Sequence, residues 1–229
     1  MAGGDGGKGD GLLACLQKAL GHALPNQLVA TQGLLRLLEQ EEGPRLSPEG
    51  QDYLRRVVAA AQRSHALITE LAELVRAVRN VEPPAPVDPA ELATEVSVEV
   101  RKLFADRPLD FHLDVQVPRL LVPPRGFRQV LLRLVRAVVP EAGEVAPRVE
   151  VSAAETAAGV ELRVSSSGPG WGPQQQQQLF EPFAPGGEGS GEGLGLLLAR
   201  TLVEGWGGRV QLDPGRGRCL LVTLPAAQE

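Results

Sequence analysis

Apolar residues in the first third of the chain recur every three or four positions, a pattern typical of amphipathic helices. The first run stops at Gly43-Pro44, where glycine permits a reversal and proline cannot continue a helix. A second run follows, with Ser47 as its predicted N-cap and Pro48 in its first turn. Its seven-residue repeat, held for about four heptads, predicts coiled-coil-like packing. The first stripe is Leu13, Leu16, Leu20, Leu24, Leu28, Thr31, Leu35 and Leu38; the second is Leu54, Val57, Ala61, Ser64, Ile68, Leu71, Val75 and Val78.

This pattern predicts a helical hairpin over residues 12–80, preceded by a flexible glycine-rich tail over residues 1–11. Two helices alone bury little apolar surface, so we expect two hairpins to pair as a dimeric four-helix bundle. The proline-rich segment 81–87 is predicted to be a stiff, extended linker. A second domain is expected over residues 88–226.

Helical and strand-like patterns alternate in this second domain. Asp88 is the predicted cap of its first helix, with Pro89 in the first turn. Two strand pairs are adjacent in sequence, which favours an α+β sandwich over a doubly wound sheet. The predicted helices are 88–103, 126–139 and 193–204, with a short glutamine-rich helix around 174–178, and the predicted strands are 109–115, 148–153, 160–165, 209–212 and 218–224.

Composition excludes several classes of function. The net charge is −5 and the three histidines are scattered, so no nucleic-acid surface is indicated. No apolar run approaches the roughly 18 residues that span a bilayer, and residues 1–11 lack the apolar stretch of a signal peptide. Cys15 and Cys219 suggest neither a disulfide framework nor a metal site. These features predict a cytoplasmic protein with no membrane contact.

Three segments of the second domain carry a chemical signal. Ser165–Gly170 follows a strand, Leu179–Phe183 follows the glutamine-rich helix, and Gly189–Leu196 opens a helix. Glycines before a helix N-terminus let backbone N–H groups approach an anion. The five glutamines at 174–178 are interpreted as a solvated helix face.

These segments, in this order, resemble the catalytic core of sensor histidine kinases over roughly residues 12–225. The hairpin resembles the dimerisation and histidine-phosphotransfer module, whose His-Glu/Asp-Leu-Arg-x-Pro-Leu motif is matched by residues 22–28. The second domain resembles the ATPase domain shared with gyrase-type and Hsp90-type proteins. Its Val-x-Asp-x-Gly-x-Gly, Phe-box, Gly-x-Gly-Leu-Gly-Leu and Asn-box helix segments are matched by residues 164–170, 179–183, 191–196 and 128–134.

The resemblance implies roles for particular residues. His22 becomes the phosphoacceptor, and Asn26, four residues along the helix, takes the position that orients water for dephosphorylation of a receiver aspartate. ATP and Mg²⁺ are the implied cofactors. The implied nucleotide-binding residues are Ser166, Gly168, Gly170, Gly191, Gly193 and Gly195; no metal-ligand residue is assigned.

Three positions depart from the family's pattern. The acidic base beside the phosphoacceptor is Ala23, and loss of a general base costs about 10²- to 10⁴-fold. The asparagine that holds Mg²⁺ falls at Arg136 or Ala137, neither of which offers the oxygen that Mg²⁺ needs. The adenine-reading aspartate is Ser166. Pro25 also departs from the pattern and is expected to disturb the helix near His22.

The predicted function is therefore two-component signalling in which His22 carries phosphate to or from the aspartate of a response regulator, with impaired autophosphorylation from ATP. Two alternatives remain open at this stage: an active soluble histidine kinase, and a non-catalytic dimeric adaptor. The expected partners are a receiver domain, a second copy of the chain and a separate sensor protein.

Overall fold

The chain divides into two units, residues 1–79 and 80–229. The computed structural model describes residues 15, 18–79, 82–105, 108–139, 146–157, 159–182, 194–213, 215 and 217–225. The tail predicted over residues 1–11 lies outside these residues, as do Gly191 and Gly193.

The first unit is a helical hairpin, as its apolar periodicity predicts. A π-helical turn at Ala19–Ala23 leads into helix α1 (Leu24–Glu41). A 3₁₀ turn at Gly43–Arg45 reverses the chain, and helix α2 spans Pro48–Arg79. The reversal therefore lies where the glycine and proline predict it.

The predicted cap of α2 is confirmed, because Ser47 Oγ accepts a hydrogen bond from the backbone N–H of Gly50 at 3.2 Å. The residues of the predicted apolar stripe of α2 are not all buried. Leu54 is buried, whereas Val57 and Ser64 of the same stripe are exposed. A single partner helix covers only one side of α2, so the wider stripe is left partly uncovered within one chain.

The second unit mixes helices and strands, which confirms the predicted α+β class. Within the described residues, no helix is both long and apolar enough to cross a membrane. The elements are β1 (Ala85–Val87), α3 (Pro89–Leu103), β2 (Asp110–Val115), β3 (Leu120–Val122), α4 (Pro124–Val138), β4 (Arg148–Thr156), β5 (Gly159–Ser166), α5 (Pro173–Gln178), α6 (Leu194–Gly205), β6 (Arg209–Leu212) and β7 (Arg218–Leu224).

Five of the strands form one mixed sheet in the order β2-β4-β5-β7-β6. The two sequence-adjacent pairs, β4 with β5 and β6 with β7, are antiparallel as predicted. β2 runs parallel to β4, and β5 pairs antiparallel with β7. The last two pairings join strands that are distant in sequence, so periodicity alone does not predict them.

Part of the segment predicted as a linker is a β-strand of the second unit. Its residues Ala85–Val87 pair antiparallel with Leu120–Val122, a short strand that the sequence pattern missed. Glu82 Oε2 also accepts hydrogen bonds from the backbone N–H groups of Arg125, at 3.1 Å, and Gly126, at 3.3 Å. The carboxylate thereby satisfies donors at the start of α4.

The core of the second unit lies between the sheet and its helices. Asp88 caps α3, as predicted, by accepting from the N–H groups of Ala90 and Glu91 at 2.8 and 3.2 Å. On the sheet side, alternate residues of β5 and β7 turn toward the core. The inward apolar residues are Val160, Leu162, Val164, Leu220, Val222 and Leu224.

The turn between α6 and β6 gives a stability prediction. A Cβ added at Gly208 would lie 2.5 Å from the carbonyl oxygen of Thr223 and 2.9 Å from Val203 Cγ1. Because backbone cannot move aside at low cost, we expect Gly208→Ala to lower the free energy of unfolding by about 1–3 kcal/mol. Gly205→Ala is the matched control, since its added Cβ meets nothing within 4 Å. Equal urea midpoints for the two variants would contradict the prediction.

Candidate functional site

His22 lies in the π-helical turn that precedes α1, and its side chain is exposed. The backbone N–H of Leu24 donates to the carbonyl of Ala19, five residues back, which defines the wider turn. Pro25 has no N–H to give the carbonyl of Gly21, and its ring would clash with that carbonyl in a regular α-helix. The disturbance predicted for Pro25 therefore takes the form of a π-turn, a local widening that is frequent at functional sites.

Among the described residues within one turn of His22, Lys18 and Asn26 are exposed polar side chains and none is a carboxylate. Asn26 is exposed and follows one turn later along the helix. Ala23 is also exposed and provides no base. An exposed imidazole with an amide one turn away is accessible to a second protein and could accept a phosphoryl group from it.

The second candidate site lies where β5 ends and the first glycine-rich loop begins. Ser166 is 7% exposed, and its Oγ accepts a hydrogen bond from the N–H of Gly168 at 3.3 Å. Ser167 exchanges hydrogen bonds with Arg148 of β4: its N–H donates to the carbonyl of Arg148, and its Oγ accepts from the N–H of Arg148, both at 2.9 Å. The start of this loop is held against the sheet by its own residues.

The predicted glycines of this site have different surroundings. Gly168 is half-buried, whereas Gly170 is exposed and lies against Gly217. A Cβ at Gly170 would lie 3.3 Å from the Cα of Gly217, which itself has a φ of 71°. Gly195 is half-buried in the first turn of α6. The close approach of two backbone segments accounts for glycine at 170 without a ligand.

The glutamine-rich helix contributes to the loop, which corrects the interpretation of 174–178 as a solvated face alone. Gln175 Oε1 accepts from the N–H of Gly172 at 2.9 Å. Gln176 Nε2 donates to the carbonyl of Trp171 at 2.8 Å. Gln174 and Gln177, by contrast, are exposed as expected. The side chains of this helix therefore fix the end of the loop that begins at Ser166.

Arg218 is the functional-site residue that sequence reasoning missed. It stands directly opposite Ser166 in the register of β5 and β7, and it is only 5% exposed. Its Nε donates to the carbonyl of Pro169 at 2.8 Å, and its guanidinium lies 5.4 Å from the ring centroid of Trp171. An arginine at an inward position of a strand that is otherwise apolar at those positions was the available sequence signal.

The residues at the expected Mg²⁺-binding position, which the structure describes, do not fit a bound Mg²⁺. The position that the resemblance assigns to the metal-holding asparagine falls on α4, at Arg136 or Ala137. Ala137 packs against the hydrophobic core, and Arg136 brings a positive charge to the last turn of the helix. Magnesium requires oxygen ligands, which neither side chain offers.

A family model provides the first comparison with known proteins. The model described as histidine kinase-, DNA gyrase B- and HSP90-like ATPase matches residues 123–228. This range includes α4, the Ser166 loop, α6 and the last two strands. The elements that surround the second candidate site are therefore those of this ATPase fold.

Two curated relatives extend the comparison. The adaptive-response sensory kinase SasA of Parasynechococcus marenigrum is 31% identical over 153 residues, covering 63% of this chain and 40% of that protein. The sensor histidine kinase ZraS of Escherichia coli is 26% identical over 223 residues, covering 93% of this chain and 45% of that protein. The chain thus spans less than half the length of either relative.

A solved structure supports the same fold across both units. Full-length ShkA, whose structure is a complex with AMPPNP, superposes with a TM-score of 0.65 and 24% identity. The match covers 95% of this chain and 46% of that one. The family model and the relatives support the recognition made from motif order in the sequence, and the structural match shows the same fold.

Proposed function

We propose that this chain is a two-component signalling protein of the sensor histidine kinase family, in which His22 exchanges a phosphoryl group with the aspartate of a response-regulator receiver domain. We propose further that autophosphorylation of His22 from ATP is impaired. The observation that carries the proposal is a contrast between the two sites. His22 is exposed and Asn26 lies one turn away, whereas the described residues at the adenine-reading and Mg²⁺-holding positions are Ser166 and either Arg136 or Ala137.

Phosphoryl exchange through His22 requires few chemical groups of this chain. Transfer from the receiver breaks the bond between phosphorus and the aspartyl oxygen and forms one between phosphorus and an imidazole nitrogen. The aspartate leaves as a carboxylate, and the proton displaced from the imidazole passes to water, because Ala23 offers no base. The energy of the acyl phosphate drives the step, so no nucleotide is consumed.

Asn26 supports the reverse function, removal of phosphate from the receiver. An exposed amide one turn from His22 can donate to a water molecule that attacks the aspartyl phosphate. This step yields inorganic phosphate and a free aspartate and does not require phosphate on His22. Net phosphate removal is therefore compatible with the same surface of the hairpin.

The nucleotide site supports impaired catalysis. ATP is the ligand expected from the family, since the matching model is that of an ATPase and ShkA holds AMPPNP. In this chain, Ser166 is engaged by the N–H of Gly168, and its hydroxyl replaces a carboxylate acceptor. With no oxygen ligand at Arg136 or Ala137 as well, the triphosphate loses its metal and adenine loses its acceptor.

Homodimerisation through the hairpin is the proposed oligomeric state. Large apolar side chains that form an exposed patch mark an interaction surface. A second hairpin would cover them and complete a four-helix bundle. The exposed residues are Val29, Leu34, Leu37, Leu38, Tyr53 and Val57, with exposures between 44% and 69%.

The alternative with a specific observation behind it is an active histidine kinase, because SasA and ZraS are named as kinases. Calorimetry with Mg²⁺–ATP separates the two functions. Micromolar binding, together with radiolabel from ATP on His22, would establish the alternative. The adaptor alternative requires instead that neither ATP nor a phosphorylated receiver labels the chain.

The proposal is tested by incubating the chain with a receiver domain phosphorylated by a small-molecule phosphodonor, in the absence of nucleotide. Acid-labile phosphate on the chain, together with loss of phosphate from the receiver, is the expected result. Release of inorganic phosphate measures the Asn26-dependent reaction in the same experiment. Failure of both reactions across a panel of receivers would exclude the proposed exchange.

The missing base gives a rate prediction. A carboxylate introduced by Ala23→Glu can accept the imidazole proton, so we expect phosphate capture by His22 to become about 10²-fold faster or more. Ala30→Glu, the same change at an exposed position two turns along α1, is the control and should leave the rate unchanged. Single-turnover transfer from a phosphorylated receiver measures both rates. Equal rates for the two variants would show that Ala23 is not the cause of slow exchange.

A further inference from the structure

We propose that the Arg218 side chain blocks the purine end of the nucleotide site by holding the loop that follows Ser166. We call this group of contacts the pin. This inference deepens the proposed function and rests on it, since it takes Ser166 as the residue at the purine-reading position. The pin consists of the Arg218 guanidinium, the carbonyl of Pro169 and the ring of Trp171. It gives impaired ATP use a second cause, separate from the missing carboxylate and metal ligand.

Strand register places Arg218 at the purine-reading position. Residues directly opposite each other in an antiparallel pair project to the same face of the sheet. Ser166 faces Arg218 across β5 and β7, and both continue the inward series that includes Val164 and Leu220. A purine that contacts residue 166 must approach this same inward face. From this face the Arg218 side chain contacts the Pro169 carbonyl and the Trp171 ring, so we infer that it occupies space that a purine would need.

The loop that follows Ser166 is built around the arginine. The Pro169 carbonyl accepts from Arg218 Nε at 2.8 Å, and the Trp171 ring lies alongside the guanidinium at 5.4 Å. Gln176 holds the Trp171 carbonyl at 2.8 Å, and the N–H of Gly168 is satisfied by Ser166 Oγ. A guanidinium that is 5% exposed requires such partners, because burying an unpaired charge is costly. The loop is therefore held in place by the protein's own side chains.

Arginine at this position disfavours adenine binding in two ways, through its volume and through its hydrogen-bonding groups. Arginine presents only donors. The exocyclic amine of adenine is also a donor, and in the family it requires an acceptor of the kind that aspartate supplies. Replacing an acceptor by a buried donor therefore creates both a steric and a polar mismatch for an adenine nucleotide.

Calorimetric titration with ADP, in the full chain and without added receiver, tests the pin. We expect weak binding by the wild type and binding about tenfold tighter or more in the double variant Ser166→Asp with Arg218→Ala, which supplies an acceptor and empties the space. Ser166→Asp alone should not tighten binding, because the new carboxylate would pair with the adjacent Arg218 guanidinium and strengthen the pin. The two substitutions are thus expected to be strongly non-additive.

Arg163→Ala is the matched control. Arg163 lies on β5 beside the same strand β7, is half-buried, and pairs with Glu161 rather than with the loop. Adding this substitution to Ser166→Asp should leave ADP binding as weak as in Ser166→Asp alone. Tight binding in this control variant would overturn the pin, since any loss of arginine from the sheet would then suffice.

A second variant keeps the test decisive if the Arg218 variants do not fold. Trp171→Leu in the Ser166→Asp background leaves Arg218 on its strand but removes the ring beside its guanidinium. We expect this variant to bind ADP more tightly than Ser166→Asp alone. Equal binding in a cooperatively folded Trp171→Leu variant would contradict the role of the pin.

The outcomes separate the pin from the proposed function. If the wild type and the double variant both bind ADP weakly, the pin is wrong and impaired ATP use has other causes. If the wild type already binds ADP tightly, both the pin and the impairment are wrong. Phosphate exchange between His22 and a receiver is measured without nucleotide, so neither result decides it.

Discussion

Replacement of His22 by alanine is expected to abolish acid-labile phosphate on the chain after incubation with a phosphorylated receiver. Among the three histidines, all of which the structure describes, His22 alone is both exposed and on the hairpin, since His65 is half-buried and His112 lies on β2. Without a nucleophilic nitrogen the bond to phosphorus cannot form, so the loss should be complete rather than partial. Phosphorimaging of the chain after denaturing electrophoresis at neutral pH gives the measurement.

His112→Ala is the control, because it removes an exposed histidine from the second unit and should retain full labelling. Asn26→Ala provides a further distinction: it should preserve labelling of His22 and slow the release of inorganic phosphate. Persistent labelling of the His22→Ala variant would assign the phosphate to another side chain. Labelling lost equally in His22→Ala and His112→Ala would point to a general loss of structure.

Replacement of Phe127 by alanine is expected to lower the free energy of unfolding of the second unit by about 3–5 kcal/mol. Phe127 is fully buried at 0% exposure in the first half of α4 and belongs to the hydrophobic core. Its removal costs both the transfer free energy of the ring and the cavity that remains. Since domains of this size are stabilised by about 5–15 kcal/mol, the variant should be close to unfolding at physiological temperature.

Tryptophan fluorescence during urea titration reports this loss specifically, because Trp171 and Trp206, the two tryptophans of the chain, both lie in the second unit. Leu103→Ala is the control: Leu103 is 56% exposed at the end of α3, and its truncation should change the free energy by less than about 0.5 kcal/mol. A Phe127→Ala variant as stable as Leu103→Ala would mean that the core collapses to fill the space.

Local sequence signals were sufficient for much of the fold. Ser47 and Asp88 cap helices because a short polar side chain followed by proline and an apolar run leaves few other conformations. The alternation within β4 and β5 predicts a hairpin, since each strand needs a neighbour that is close in sequence. Elements whose partners are local were therefore predictable from the chain alone.

Parts of the candidate site depended on partners far away in the chain. Gln176 was interpreted as a solvated residue, and nothing in its neighbourhood signals that it holds the carbonyl of Trp171. Arg218 becomes informative only when β7 is placed beside β5 in a register that sets it against Ser166. A shift of one residue in that register would turn Arg218 to the other face of the sheet.

Taken by itself, the sequence determined the order and type of most elements, the exposure of His22 off its apolar stripe, and the absence of the acidic, asparagine and aspartate side chains at three positions of the family's pattern. Tertiary structure alone decided the parallel pairing of β2 with β4, the use of Ala85–Val87 as a strand, and the placement of Arg218 against the loop at Ser166. The physical reason is the range of the interactions. Capping and periodicity act within one or two turns of chain, whereas strand register is chosen by the whole core, which buries one face of every strand at once.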